Sequence, residues 1–147
     1  MARTRTSLTN YPFASPGVLL WYRDSSYDDN WTGVHPGGGY LLVVDSRETA
    51  RLRPSAPGIG SIPWSSRVQS YDAVFSLLPA PTITIGYWGV TKNEIGKNAV
   101  PNFDDSHSYW TSKVPDASVI TPRYGFVFRV LGQADDGSAA LVGFGTK

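Results

Sequence analysis

Four residues in one polar loop, Asp24, Asp28, Asp29 and Asn30, carry the hard oxygen ligands that Ca²⁺ takes, typically about six to eight at a time with backbone carbonyls included. Their order is not that of an EF-hand: the Asp-x-Asp-x-Asp-Gly pattern and the distal Glu are missing. Asp and Asn at such positions also cap turns by bonding to their own backbone, which needs no coordination shell completed from elsewhere. The loop is therefore read as turn caps first and as a possible calcium site second. Asp104 and Asp105 carry the same two readings, with the weaker metal case.

Zinc-dependent peptide hydrolysis of the helical type needs two His one turn apart with a Glu between them, so that both imidazoles reach one metal. This chain has two histidines, His35 and His107, neither in a His-Glu-x-x-His context, and Glu only at 48 and 94. Gly-x-Ser-x-Gly is absent, and no spacing singles out a pair of carboxyls for glycoside chemistry. No catalytic residue is assigned. His35-Pro36 before Gly37, Gly38 and Gly39 is not a phosphate loop, because no Gly-Lys-Ser/Thr and no helix follow. It reads as a glycine-rich turn with His35 hydrogen-bonded into the loop. Trp31, Trp88 and Trp110 lie in loops and, with His35, form a candidate surface for a glycan or a protein. The competing role for these rings is to anchor long loops onto the domain.

The elements that must hold these groups are strands. Val18 to Tyr22 and Tyr40 to Val44 are apolar runs flanking the acidic loop, and they do not alternate polar with apolar, so both are expected inside a sheet. Val74 to Leu78 reads as a short strand stopped by prolines, and Thr82 to Tyr87 alternates β-branched residues at period two. Residues 46 to 64 read as an irregular excursion, and residues 88 to 123 as loop with a possible helical turn at Asp104 to Trp110. Tyr124, Phe126, Phe128 and Val130 fall on one strand face, Asp136-Gly137 supplies a turn, and Ala139 to Phe144 returns as a C-terminal hairpin. No helical period appears. The expectation is all-β: an antiparallel β-sandwich-like domain over residues 17 to 147 with long irregular loops, after a flexible lead-in over residues 1 to 16.

Composition narrows the partners. A net charge of +1 from 13 basic and 12 acidic residues offers no field for nucleic acid or a membrane surface, so neither is expected as a partner. The absence of cysteine excludes disulfides and thiolate metal sites. No apolar run nears the roughly 20 residues that span a bilayer, and the start, MARTRTSLTN, lacks the apolar stretch of a signal peptide.

The order of motifs adds a further reading. Trp21-Tyr22 leads into Asp24-Ser-Ser-Tyr, Asp29-Asn-Trp, Gly33-Val-His-Pro-Gly and an apolar strand ending in Val44-Asp45. Downstream come Arg67-Val-Gln-Ser-Tyr-Asp-Ala-Val-Phe-Ser-Leu77, Phe103-Asp-Asp-Ser, Val114-Pro-Asp-Ala and Tyr124-Gly-Phe-Val-Phe-Arg-Val-Leu-Gly-Gln133. Over roughly residues 17 to 145 the chain resembles the C-terminal region of the immune inhibitor A family of secreted bacterial zinc metallopeptidases. The resemblance implies a non-catalytic part of an exported enzyme, with zinc held only in the parent's catalytic domain. Its partners would be that catalytic domain, the neighbouring domains and a protein or glycan substrate. A patch of exposed apolar surface should then mark where a neighbour docks.

Overall fold

The structure, a computed structural model, describes residues 2–5, 15–47, 52–53, 62–63, 73–87, 90–94 and 96–147. Those residues contain strands and turns and no helix. In chain order the strands are β1 (Ala2–Arg5), β2 (Gly17–Arg23), β3 (Leu41–Val44), β4 (Leu52–Arg53) and β5 (Ile62–Pro63). They are followed by β6 (Ile83–Tyr87), β7 (Val90–Glu94), β8 (Asn102–Asp104), β9 (Phe126–Gln133) and β10 (Ala140–Thr146). All pairings are antiparallel: β1-β2-β3, β10-β9-β8, β4-β5 and β6-β7. The protein is all-β.

β2 is central in its sheet, as expected, with Leu20 opposite both Ala2 and Val44. The second run departs from expectation. β3 lies at the rim of the described sheet, and Leu41 at its start is 39% exposed while Val44 is fully buried. Ala2–Arg5, within the expected lead-in, pair with β2 as the opposite edge strand.

Phe75 ties the two three-stranded sheets together. Its backbone exchanges two hydrogen bonds with Val18 (2.8 and 2.9 Å), and Ser76 donates to the Val100 carbonyl (2.9 Å). The expected strand over Val74 to Leu78 is thus a pair of bridges rather than a ladder. Gly17 is required here: a Cβ would sit 2.7 Å from the Phe75 carbonyl oxygen and 2.9 Å from Val74 Cβ. The Phe75 ring is fully buried and meets Phe103, Tyr109 and Phe128 edge-on at centroid distances of 5.7, 5.8 and 5.1 Å, the arrangement that aromatic quadrupoles favour. Val18, Leu20 and Val44 from one sheet, Phe103, Phe128 and Val130 from the other, and Val119 join them in one cluster.

Polar side chains fix the connections over the core. Gln133 accepts from the Ser76 hydroxyl and the Leu77 amide (3.1 Å each) and donates to the Pro16 carbonyl (3.1 Å), joining three segments. Lys97 donates to Ser46 Oγ and to the Val74 carbonyl.

The C-terminal hairpin forms with two changes. Gly137 takes φ +72°, but the Ala134 amide donates to the Ala139 carbonyl (3.0 Å), so the loop has four residues and Asp136-Gly137 sits inside it rather than forming a two-residue turn. Tyr124 lies outside β9 and is 84% exposed, so only Phe126, Phe128 and Val130 keep the expected face. The loop expected over residues 88 to 123 contains β7 and β8, and the excursion over 46 to 64 contains β4 and β5. Where a helical turn was allowed, Asp104 to His107 form a tight turn closed by the His107 amide on the Asp104 carbonyl (3.0 Å).

Candidate functional site

The acidic loop leaves β2 at Asp24 and re-enters β3 at Leu41, and its side chains close it on itself. Asp24 Oδ1 accepts from the Ser26 amide (2.9 Å) and hydroxyl (2.7 Å), and these bonds, the hydroxyl first, lower its pKa. Asp29 Oδ1 accepts from the Trp31 amide (2.6 Å), the largest cause of its lowered pKa. Asn30 Oδ1 accepts from the Leu41 amide (2.7 Å) across the base of the loop, beside the Tyr40 amide donating to the Asp29 carbonyl (2.7 Å). Asp28 is exposed. Asp24 and Asp29 therefore cap turns, while Asn30 ties the two ends of the loop together. Among the described residues no three His, Asp or Glu side chains are gathered as a metal group.

His35 is held at both nitrogens. Nδ1 faces the Gly38 carbonyl at 2.9 Å and Nε2 faces Asp29 Oδ1 at 2.9 Å, with the Tyr27 ring tilted against it at 4.7 Å. Two acceptors are satisfied together only when both nitrogens carry protons, so the site favours imidazolium. The His35 pKa is raised accordingly, first by the Gly38 carbonyl and then by Asp29, against the opposing effect of desolvation.

A second loop backs the first. The Ile120 amide donates to the Gly37 carbonyl (2.8 Å), and the Thr32 hydroxyl donates to the Asp116 carbonyl (3.1 Å). Gly37 has φ +77°, and a Cβ there would meet Ile120 at 2.6 Å, so this contact requires glycine on both grounds. Trp110 is half-buried and donates its indole N–H to the Pro115 carbonyl (2.8 Å), an anchor for its loop. Trp31 is 68% exposed, with Val34 and Ile120 also exposed on the paired loops. Trp88 falls outside the described residues. The expected aromatic surface thus comes down, among the described rings, to Trp31, because Trp110 packs and His35 is bonded within its loop.

Sequence reasoning missed a cleft beside these loops. A cavity of about 250 Å³ opens between β2, β8, β9 and residues 121 to 124. Leu20, Val44 and Phe103 form its buried part, Tyr22 and Phe126 its half-buried walls, and Tyr124 stands exposed at its mouth. Burial raises the Tyr22 pKa, with Asp24 adding to the effect. The segment behind Tyr124 is pinned. The Thr121 hydroxyl donates to the Asp105 carbonyl (3.0 Å), Asp105 Oδ1 accepts from the Gly125 amide (3.0 Å), and the Lys147 amide donates to the Gly125 carbonyl (2.8 Å). Arg123 holds φ +60°, which is costly for a residue with a side chain. No residue type in Arg123-Tyr124-Gly125 signals it, because the period-two spacing of Tyr124, Phe126 and Phe128 is unbroken and the turn depends on the positive φ of Arg123.

Comparison with known proteins agrees with the motif order. The family described as immune inhibitor A-like metallopeptidase, VEG domain, matches residues 3–142. Immune inhibitor A of Bacillus thuringiensis subsp. alesti is 42% identical over 137 residues, covering 89% of this chain and 19% of that protein. The pre-pro-metalloprotease PrtV of Vibrio cholerae serotype O1, in strain M66-2 and in strain ATCC 39315, is 33% identical over 128 residues, covering 86% of this chain and 14% of its own length. The chain therefore spans less than a fifth of the length of the curated relatives it matches, and it belongs to the VEG-domain family of immune inhibitor A-like metallopeptidases.

Proposed function

We propose that this domain is a non-catalytic accessory module of an exported immune inhibitor A-like metallopeptidase, supporting the catalytic domain and its engagement of protein substrate. The observation that carries the proposal is the family match over residues 3–142 in a chain without His-Glu-x-x-His, set against relatives of which the matched region is less than a fifth. Peptide cleavage and the zinc it needs then belong to the parent's catalytic domain. Export rests on the relatives, one of which is named a pre-pro-metalloprotease. On this reading the acidic loop is closed by its own hydrogen bonds, with calcium at Asp24, Asp28, Asp29 and Asn30 the alternative that thermal unfolding with Ca²⁺ and with chelator tests.

The test removes the domain from the full-length polypeptide and compares turnover of a short peptide with turnover of a folded protein. Weaker cleavage of the protein with peptide turnover retained identifies substrate engagement; loss of both identifies support of the catalytic fold. Unchanged turnover of both, or zinc-dependent cleavage by the isolated 147-residue chain, removes the proposal.

A second reading, a loop surface that contacts glycan or protein, is favoured by the exposure of Trp31. It predicts a change in indole fluorescence on titration with the ligand that disappears in Trp31→Phe. Identical titrations of the two proteins would count against it.

A further inference from the structure

We propose that the cleft between β2, β8, β9 and residues 121 to 124 is a docking socket for one bulky apolar side chain of a neighbouring domain of the parent polypeptide, with Tyr124 as its lip. This assignment rests on the accessory-module reading.

The lining selects the occupant. Leu20, Val44, Phe103 and Phe126 present carbon, and two of the polar groups in the lining are engaged within the protein, Asp105 Oδ1 by the Gly125 amide and the Thr121 hydroxyl by the Asp105 carbonyl. A sugar or a charged metabolite entering the carbon-lined part of the cleft would give up most of its hydrogen bonds to water, because it is chiefly the Trp21, Tyr22 and Tyr124 side chains that offer it polar atoms. An apolar side chain loses nothing comparable and gains burial. The volume of about 250 Å³ agrees, lying just below the range of about 300–1,000 Å³ found for sites that enclose drug-sized ligands.

Tyr124 marks the opening as a contact surface. The ring is 84% exposed, yet its backbone is fixed between the positive φ angles of Arg123 (+60°) and Gly125 (+84°) and by the hydrogen bonds of Gly125 to Asp105 and Lys147. A rigid, amphipathic ring offers large contact area at small entropic cost, and for that reason Tyr is enriched where interfaces concentrate binding energy. The strain at Arg123 buys no core packing, because Arg123 is itself exposed. Its effect is to carry the chain from Thr121 to Gly125 with Tyr124 standing at the mouth of the cleft.

The family relation supplies the occupant. More than four-fifths of each matched relative lies outside the region this domain covers, so polypeptide of the same molecule is present at high effective concentration beside the socket. A tethered partner needs only a small apolar contact to stay docked.

The domain contains no cysteine, so Tyr124→Cys introduces a unique thiol into it. Labelling of that thiol by N-ethylmaleimide is followed by peptide mass in the 147-residue chain and in the full-length polypeptide, with Leu141→Cys, at a position 65% exposed on β10, as comparator. Docking predicts that Tyr124→Cys reacts freely in the short chain and about tenfold or more slowly in the full-length polypeptide, because a covered thiol reacts only through local opening. Oxidative footprinting of the native Tyr124 ring in the same two forms gives the same comparison without a substitution. Equal reactivity at position 124 in both forms overturns the socket. If Leu141→Cys is then the slowed position, the accessory reading stands with its interface elsewhere; if neither is slowed and removal of the domain leaves peptidase turnover unchanged, that reading fails as well.

Discussion

At the scale of single residues, the side chains of the acidic loop accept hydrogen bonds from the loop's own backbone. His35 gives the sharpest prediction. Its folded pKa lies above the ordinary 6.5, so its contribution to stability is fully present below that value and is lost as the pH rises through the raised folded value. Asp29 sets the acid edge: shifted below 3.8, it contributes above that value and loses its contribution as the pH falls through the lowered one. An NMR titration should place His35 above its value in the denatured chain. Asp29→Asn should reduce that shift without abolishing it, because the Gly38 carbonyl is the larger cause. A His35 that titrates at or below its denatured value contradicts the account. Asn30→Ala removes the acceptor of the Leu41 amide and should cost about 0.5–1.5 kcal/mol in denaturant unfolding. The local caps of Asp24 and Asp29 were legible in the sequence, since Asp caps locally whatever the fold; the bond from the Leu41 amide to Asn30 was not, because it joins residues eleven apart. The exposure of Tyr124 was not, because it depends on Arg123 holding a positive φ that no residue type announces.

At the scale of elements, the core is organised by a segment too short to form a strand. Phe75 bridges β2 and faces three aromatic rings from the other side of the molecule, so Phe75→Ala should cost about 3–5 kcal/mol in equilibrium unfolding. A loss below about 1 kcal/mol would mean that the two sheets do not share one core. Gly137→Ala should cost about 1–2 kcal/mol, the penalty for a Cβ at its φ of +72°. β2, β6 and the C-terminal hairpin were visible as apolar or alternating runs bounded by turn residues. β8 was hidden because Asn102–Asp104 is three residues long and reads as loop, and only its partner β9 makes it a strand. The position of β3 at the rim could not be read from Leu-Leu-Val-Val, since an apolar run on an edge strand is as apolar as one in the middle.

At the scale of the whole molecule, the two sheets, the self-closed loop and the cleft form a domain that carries no zinc motif and belongs to a family of much longer proteins. If hydrogen bonds alone hold the acidic loop, thermal unfolding in excess Ca²⁺ and in chelator at fixed ionic strength should coincide. A ligand specific for the native state would instead add about 2.7 kcal/mol at a hundredfold excess over its dissociation constant. The central claim is that the domain serves a peptidase it does not itself contain, and the most direct measurement is the half-life of peptidase activity at elevated temperature in the full-length polypeptide with and without these residues. The account predicts faster inactivation, or a selective loss of protein cleavage, once the domain is removed. An identical half-life and identical turnover without it would contradict the account.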